Sequence, residues 1–173
     1  MQARFGRRTV LLLLAVLLLI SIGLRYPLVE HERYQTDSYY IHWLARTITD
    51  DGQAEWTLNP LSYVGYYPLS YPSGAPFLVA EVSVLTGTGI EFSILLISML
   101  LGVMLCLGVF VMARSFLARD QFVILATLLA ILGPRFLDTT YWDASARGPM
   151  VVLVVLTVFS FFRAEQMGQK SLR

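Results

Sequence analysis

Charged residues are absent from four long stretches of this chain, and their absence constrains the fold more than any other feature. The stretches cover residues 9–24, 92–113, 121–134 and 148–162. Roughly 20 apolar residues cross a bilayer and about 17 can suffice, a length that the two shorter stretches reach when their boundary residues are counted and flanking arginines extend toward the headgroups. The pattern predicts an all-α membrane protein with about four transmembrane helices, over residues 9–25, 92–113, 121–137 and 148–163.

Composition supports this class and excludes others. Hydrophobic residues make up 56% of the chain and charged residues 14%, well below the roughly 25% charged residues of soluble domains. A net charge of +1 gives no overall field to attract a nucleic acid. The single cysteine, Cys106, excludes an intramolecular disulfide and a multi-cysteine zinc site. Three arginines precede the first run as in a signal peptide, but no small-x-small cleavage site follows, which favours an uncleaved anchor.

The distribution of Lys and Arg predicts the topology. With the N-terminus in the cytoplasm, the inner segments hold eight Lys or Arg and two acids, whereas the outer segments hold five Arg and ten acids. This bias agrees with the positive-inside rule and predicts a multi-pass protein of the cell membrane whose two termini are cytoplasmic. The excess of acids is a separate indication that the chemistry lies on the external side.

The external segment over residues 26–91 is too long for a simple connection. Helical spacing of Tyr40, Ile41, Leu44 and Ile48 predicts an amphipathic interfacial helix over about 37–49. A second short helix is predicted over about 74–86, with Pro76 in its first turn. The stretch between them is rich in proline and tyrosine and is predicted not to span, so the chain forms one transmembrane domain over residues 1–173.

Asp37 is the first candidate for chemistry, because it stands at the predicted start of an interfacial helix. A carboxylate there could hold a divalent cation or accept a proton from an attacking hydroxyl. The alternative is a plain N-cap, whose side-chain oxygen accepts an otherwise unpaired backbone N–H.

The predicted turn before the fourth span carries a second set of candidates. Asp138 and Asp143 stand there with Arg135 and Arg147, an arrangement that could bind a metal and a phosphate. Arg147 precedes a Gly-Pro helix start, which suits an anion such as a lipid phosphate. The alternatives are a solvated loop balanced by local ion pairs and, for Arg147, simple anchoring to headgroups.

Three stretches resemble the N-terminal part of the polytopic membrane glycosyltransferases of the GT-C superfamily. They are Thr36-Asp37-Ser38-Tyr39-Tyr40-Ile41-His42-Trp43-Leu44-Ala45, Tyr67-Pro68-Leu69-Ser70-Tyr71-Pro72-Ser73-Gly74-Ala75-Pro76 and Thr139-Thr140-Tyr141-Trp142-Asp143-Ala144-Ser145-Ala146-Arg147-Gly148-Pro149. The archaeal oligosaccharyltransferase-like and dolichyl-phosphate-sugar mannosyltransferase-like branches are the most similar. The predicted order of spans, long first loop with two helices and short acidic loop is also the order of that superfamily.

The resemblance implies transfer of a sugar from a polyprenyl-phosphate-linked donor to an acceptor on the external face. Asp37 matches the acidic position of the first loop, and Asp143 matches the second acidic site better than Asp138 does. Asp37 would then be a catalytic base or metal ligand, Asp143 a ligand of a divalent metal such as Mg²⁺ or Mn²⁺, and Arg147 a phosphate ligand. The sequence departs from the two branches where Ser38 follows Asp37 and where the two aspartates stand five residues apart.

Relatives of this kind carry further membrane helices after the fourth span, which would be partners of this segment. The first hypothesis is therefore the enzyme or its N-terminal part. The second is a non-catalytic, truncated relative that packs against another membrane protein. A small transporter subunit is a weaker third, because no predicted span carries a central charge or a central Pro-Gly break.

Overall fold

A computed structural model describes residues 5–26, 31, 36–53 and 74–171, and every regular element in these residues is a helix. The prediction of an all-α chain is thereby confirmed for the described ranges. The helices, in chain order, are α1 (Arg7–Gly23), α2 (Thr36–Asp51), α3 (Gly74–Thr86), α4 (Ile90–Phe116), α5 (Asp120–Ile131), α6 (Pro134–Asp138) and α7 (Arg147–Ser171). The predicted proline- and tyrosine-rich connection over residues 54–73 lies outside these ranges.

Helix α4 is the centre of the bundle, because α1, α2, α3, α5 and α7 all pack on it. Its chain direction opposes that of α1 and α5: Val10 near the start of α1 packs with Phe110 near the end of α4, and with Val123 near the start of α5. Helix α7 runs parallel to α4, since Gly148 approaches Leu101 and the ring of Phe162 contacts that of Phe116. The bundle therefore has two distinct ends.

One end, called here the basic end, holds the start of α1, the turn from α4 to α5 and the later part of α7. Five exposed arginines lie on these segments: Arg7, Arg8, Arg114, Arg119 and Arg163. The other end, called here the loop end, holds the end of α1, the helices α2 and α3, and the connection from α5 to α7. The described N-terminal residues and the later part of α7 thus share the basic end.

Two helices in the described residues are long and apolar enough to cross a membrane, α4 and the segment Arg147–Glu165 of α7. At about 1.5 Å per residue, the 27 residues of α4 span about 40 Å, which exceeds the roughly 30 Å of a bilayer's hydrocarbon core. Only 11% of the apolar window of α7 is buried, although a helix in the centre of a soluble protein would be largely covered. These two helices support two of the four predicted spans, and the other two spans stay a prediction.

The predicted span over residues 121–137 is divided into two helices. Helix α5 ends at Ile131 and measures about 18 Å at the usual rise, and α6 begins at Pro134. Proline has no N–H to donate to the carbonyl of Ala130, and its ring would clash with that carbonyl, so the helix cannot continue. The absence of charge from residues 121–134 does not reveal this break, because charge patterning and backbone hydrogen bonding are independent.

The predicted interfacial helices are observed as α2 and α3, and they pack against protein. Ile41 and Ala45 of α2 join Val79 of α3 and Ile94 of α4 in one buried cluster. The exposed face of α2 carries an ion pair in which Arg46 Nε lies 3.6 Å from Asp50 Oδ2. The apolar face of α2 therefore covers the loop end of the bundle.

A buried arginine joins the end of α1 to the rest of the bundle. Arg25 is 0% exposed, and its guanidinium donates from Nη1 to the carbonyl oxygen of Ser21 at 2.7 Å and from Nε to Thr140 Oγ1 at 3.0 Å. The guanidinium carbon lies 4.8 Å from the centre of the Phe136 ring, a cation–π contact. A buried charge is tolerated only when such groups replace its hydration.

The guanidinium lies where a side chain on α4 would otherwise project. A Cβ added to Gly102 would stand 2.8 Å from Cζ, Nε and Nη1 of Arg25. No real Cβ makes such close contacts, and the hydrogen bonds to Ser21 and Thr140 hold the guanidinium in place. Gly102 is therefore required for the burial of Arg25.

Gly102→Ala is expected to destabilise the protein by about 1–3 kcal/mol, the usual cost of overpacking a close-packed interior. In an Arg25→Met background the same change should cost clearly less, because the clashing guanidinium is gone. Thermal unfolding of the purified protein in mild detergent, followed by circular dichroism, measures both effects.

Gly108→Ala is the matched control on the same helix, since its new Cβ would meet only methyl groups of Val155 and Leu156, at 3.3 and 3.4 Å. A melting temperature lowered equally by both alanine variants, or a Gly102→Ala cost that Arg25→Met does not relieve, would contradict this account of Gly102.

Candidate active site

Asp143 is buried at the loop end, where its neighbours fix the backbone on both sides. Its exposed fraction is 6%, and the flanking Trp142 and Ala144 belong to the cluster formed by α2, α3 and α4. Trp142 has φ 47°, a left-handed conformation that costs a non-glycine residue roughly 1–2 kcal/mol. Its indole Nε1 donates to the backbone oxygen of Glu91 at 3.0 Å. The backbone beside Asp143 is thus strained and anchored, a combination that is frequent at functional sites.

A hydrogen bond connects the start of α2 to the Asp143 segment. The amide of Ala144 donates to Ser38 Oγ at 2.8 Å, and Ser38 is completely buried. Asp37 precedes Ser38 as the second residue of α2, although its side chain lies outside the described part of the chain. The segments that carry Asp37 and Asp143 therefore adjoin at the loop end, although 106 residues separate Ser38 from Ala144.

Asp143 lines a small cavity between α3, α4 and the start of α7. The cavity has a volume of about 20 Å³, which is room for about one water molecule. Ser98 and Ser145 supply further polar atoms to its wall, and the other lining residues are apolar. Asp143 is the carboxylate that the described residues place in this cavity.

A larger apolar groove lies beside this cavity, between α3 and α7. Its volume is about 590 Å³, and its floor includes Leu78 of α3 with Leu153 and Val154 of α7. Ala75, Leu78 and Pro149 line both the groove and the Asp143 cavity. The buried carboxylate thus stands at one end of an apolar groove.

The other predicted site residues lie on the surface. Asp138 and Arg135 are exposed on the five-residue helix α6, and neither lines the Asp143 cavity. Arg147 is exposed at the first position of α7, directly after Ala146 of the groove, and its amide donates to Ser145 Oγ at 3.2 Å. The structure therefore brings the segments of Asp37 and Asp143 together, whereas Arg147, Asp138 and Arg135 are exposed residues that line neither the cavity nor the groove.

A divalent cation would find only part of its ligand set in the described residues. No three His, Cys, Asp or Glu side chains converge within ranges 5–26, 31, 38–53 and 74–165. Mg²⁺ is commonly bound by one or two carboxylates together with substrate phosphates. Among the described side chains of this cavity, Asp143 supplies the one carboxylate, so a cation there would need further ligands from elsewhere.

Two residues of this site could not be assigned a role from the sequence. In the sequence, Ser38 is only a departure from a family pattern, and Trp142 is only one residue of a stretch that resembles the family. Their roles depend on contacts with Ala144 and Glu91, which are distant in the chain.

The chain matches no protein-family model, and no match is found among curated proteins or solved structures.

Ser38→Ala should show how much the hydrogen bond to Ala144 contributes to the stability of the protein and to the order of the Asp143 segment. The buried amide of Ala144 would lose its acceptor, so we expect destabilisation by about 1–3 kcal/mol and faster hydrogen exchange in segment 139–147. Hydrogen–deuterium exchange with mass spectrometry in detergent measures the local change, and thermal unfolding measures the global one.

Ser115→Ala is the control, because the exposed Ser115 hydroxyl donates only to Val111 of its own helix, at 3.0 Å. Exchange in segment 139–147 that remains at the wild-type rate in Ser38→Ala would show that the hydrogen bond does not hold this segment in place.

Proposed function

We propose that this chain is a membrane glycosyltransferase, or the N-terminal part of one, that uses a polyprenyl-phosphate-linked sugar donor. The observation that carries the proposal is the Ser38–Ala144 hydrogen bond, which joins the segments of Asp37 and Asp143 beside an apolar groove. Two acidic segments and a lipid-sized groove at one end of a helical bundle suit a substrate with a charged head and an apolar tail.

The proposal includes a membrane placement with four crossings. Helices α4 and α7 would form two of the spans. Helix α1 would form a third, and α5 and α6 together would form the fourth. The basic end would lie in the cytoplasm, as its exposed arginines suggest, and the loop end would lie on the external side of the cell membrane. Both termini would then be cytoplasmic, and α2 and α3 would lie at the external surface.

The groove is the proposed site of the polyprenyl chain. Its wall is almost entirely apolar, and the side chains of Leu153 and Val154 are exposed along it. The donor phosphate would lie near Arg147, which offers a forked set of donors beside the first turn of α7. Arg135, which is exposed on α6, is a second and more distant phosphate ligand.

The carboxylates would act at the sugar. The acceptor oxygen would bond to the anomeric carbon while the bond from that carbon to the phosphate oxygen breaks, and the phosphate would leave with the lipid. Asp37 would accept the proton of the acceptor group, the role of a general base. A divalent metal such as Mg²⁺ or Mn²⁺ would neutralise charge on the leaving phosphate. Asp143 would hold it, Asp138 is the reserve ligand, and metal binding by Asp37 is the alternative to its role as the base.

Asp37→Asn and Asp143→Asn are each expected to lower the rate of transfer by about 100-fold or more, since each removes a carboxylate from the reacting centre. The assay is turnover of polyprenyl-phosphate-linked sugars by the full-length protein, purified in mild detergent. Insertion into the membrane should persist in both variants.

Glu81→Gln is the matched control, because Glu81 is an exposed carboxylate on α3 that lies in neither the cavity nor the groove. Transfer at the wild-type rate in Asp37→Asn would remove Asp37 from the mechanism, and the same result in Asp143→Asn would remove Asp143.

Val154→Trp should fill part of the groove and raise KM for the lipid-linked donor more than it lowers kcat. Val151→Trp adds the same bulk to an exposed position of α7 that does not line the groove. Steady-state kinetics with the donor varied separate the two parameters. Equal effects of the two tryptophans would indicate that the donor does not occupy the groove.

A non-catalytic membrane subunit is the second candidate, and the exposure of α7 favours it. Large apolar side chains of α7 lie on the surface of the described bundle, including Leu153 and Phe161, and another membrane protein could cover them. A full-length protein that inserts and co-purifies with such a partner, but turns over no lipid-linked sugar even in that complex, would favour this candidate over the enzyme.

A further inference from the structure

A second large cavity lies at the basic end, opposite the candidate active site. Its volume is about 740 Å³, and it is formed where the start of α1 meets the end of α4 and the turn to α5. Unlike the groove between α3 and α7, its wall is predominantly polar, although phenylalanine and leucine side chains form part of it. The proposed transfer reaction uses no residue of this cavity.

Two arginines from different helices line this cavity. Arg7 comes from the first position of α1 and Arg114 from the last turn of α4, and both line the cavity. Neither forms an ion pair with a carboxylate in the part of the chain that the structure describes. The guanidinium of Arg114 lies 5.9 Å from the centre of the Phe110 ring, which supports it from one side. The arrangement leaves two fork-shaped donor groups available to an anion.

The one carboxylate on the wall is already engaged by the backbone. Asp120 accepts a hydrogen bond at Oδ2 from the amide of Phe5, at 3.2 Å. This contact connects the chain before α1 to the first turn of α5 and closes one side of the cavity. Asp120 also reduces the local positive charge, so a monoanionic ligand balances the wall better than a highly charged one.

The apolar part of the wall indicates what else the ligand carries. Leu11 lies one turn further along α1 than Arg7, and Phe116 and Leu117 stand where α4 leaves its apolar stretch. The two arginines lie where the apolar helix α1 begins and the apolar helix α4 ends, and the leucine and phenylalanine side chains lie next to them. This combination matches the boundary between phosphate groups and acyl chains in a bilayer.

We propose that this cavity binds the headgroup of an anionic glycerophospholipid. The phosphate diester would accept hydrogen bonds from Arg7 and Arg114, and the first segments of the acyl chains would contact Leu11 and Phe116. The site depends on membrane placement of the bundle but not on glycosyl transfer. A failure of lipid binding at this cavity can therefore be distinguished from a failure of the proposed enzyme activity.

The test compares phosphatidylglycerol with phosphatidylcholine of the same acyl chains, each titrated into the full-length protein in detergent and followed by native mass spectrometry. We expect phosphatidylglycerol to bind more tightly, and Arg7→Gln/Arg114→Gln to weaken it by about thirtyfold, since each arginine near an anionic lipid surface contributes about a factor of five. Binding should also weaken with added salt.

Arg8→Gln/Arg163→Gln is the matched control. It removes the same charge from α1 and α7 at the same end, but neither residue lines the cavity. Where the first double variant does not fold, Arg114→Gln alone should weaken phosphatidylglycerol by about fivefold, again with the control unchanged.

Equal affinity for the two lipids, or an equal loss in both double variants, would overturn the site. A third titration uses inorganic phosphate and glycerol phosphate. Displacement of phosphatidylglycerol by either of these at the same concentration would overturn the assignment to a lipid and indicate a soluble phosphate instead.

Discussion

The burial of Arg25 is the interaction on which the arrangement of the loop end depends. A guanidinium removed from water needs oxygen acceptors and an aromatic face, and the chain supplies these from α1, α6 and the turn after α6 for Nε and Nη1, whereas Nη2 has no hydrogen-bond partner among the described residues. Ser21 and Thr140 accept its hydrogen bonds, the centre of the Phe136 ring lies 4.8 Å from its central carbon, and Gly102 on α4 gives it space. Arg25 therefore links the end of α1 and the short helix α6 beside the centre of α4, where Leu17 and Phe136 also pack on α4 in hydrophobic clusters. The break at Pro134 is what allows α6 to turn toward Arg25.

The same constraint reaches the candidate site through the backbone. Thr140 is bound to Arg25, and two residues later Trp142 adopts its left-handed conformation with its indole fixed to Glu91. Two residues further, the amide of Ala144 is bound to Ser38 on α2. Asp143 lies between the last two of these anchors, so its position is set by α1, α2 and α4 together. In the proposed reaction, a carboxylate held by three separate elements would lose little conformational entropy on binding a substrate, which is the advantage of preorganisation.

Sequence patterns gave the helices but not the contacts that give this end its shape. Charge-free runs and helical spacing depend on neighbours in the chain, so they indicated helices near residues 37–49 and 74–86, and helices were observed there. The division of the predicted third span needed the geometry of Pro134, which was visible in the sequence but was counted only as an uncharged residue. The contacts of Arg25 and Ser38 could not be predicted from the sequence, because each has a partner more than 100 residues away and no local pattern indicates such pairs.

In the proposed function, the exposed side of α7 is the side from which a lipid-linked donor would approach the Asp143 segment. Helix α7 packs mainly on α4. The side of α7 that faces away from α4 is uncovered, so the groove between α3 and α7 is open. In a bilayer that opening would face lipid, and a polyprenyl chain would enter sideways without first crossing water. The loop end, with its acids and buried polar atoms, would face the aqueous side from which an acceptor arrives. Asp143 itself is buried beside a cavity with room for about one water molecule, so in the proposed reaction the wall of this cavity would have to open toward the groove and toward the polar surface before both substrates reached the carboxylate.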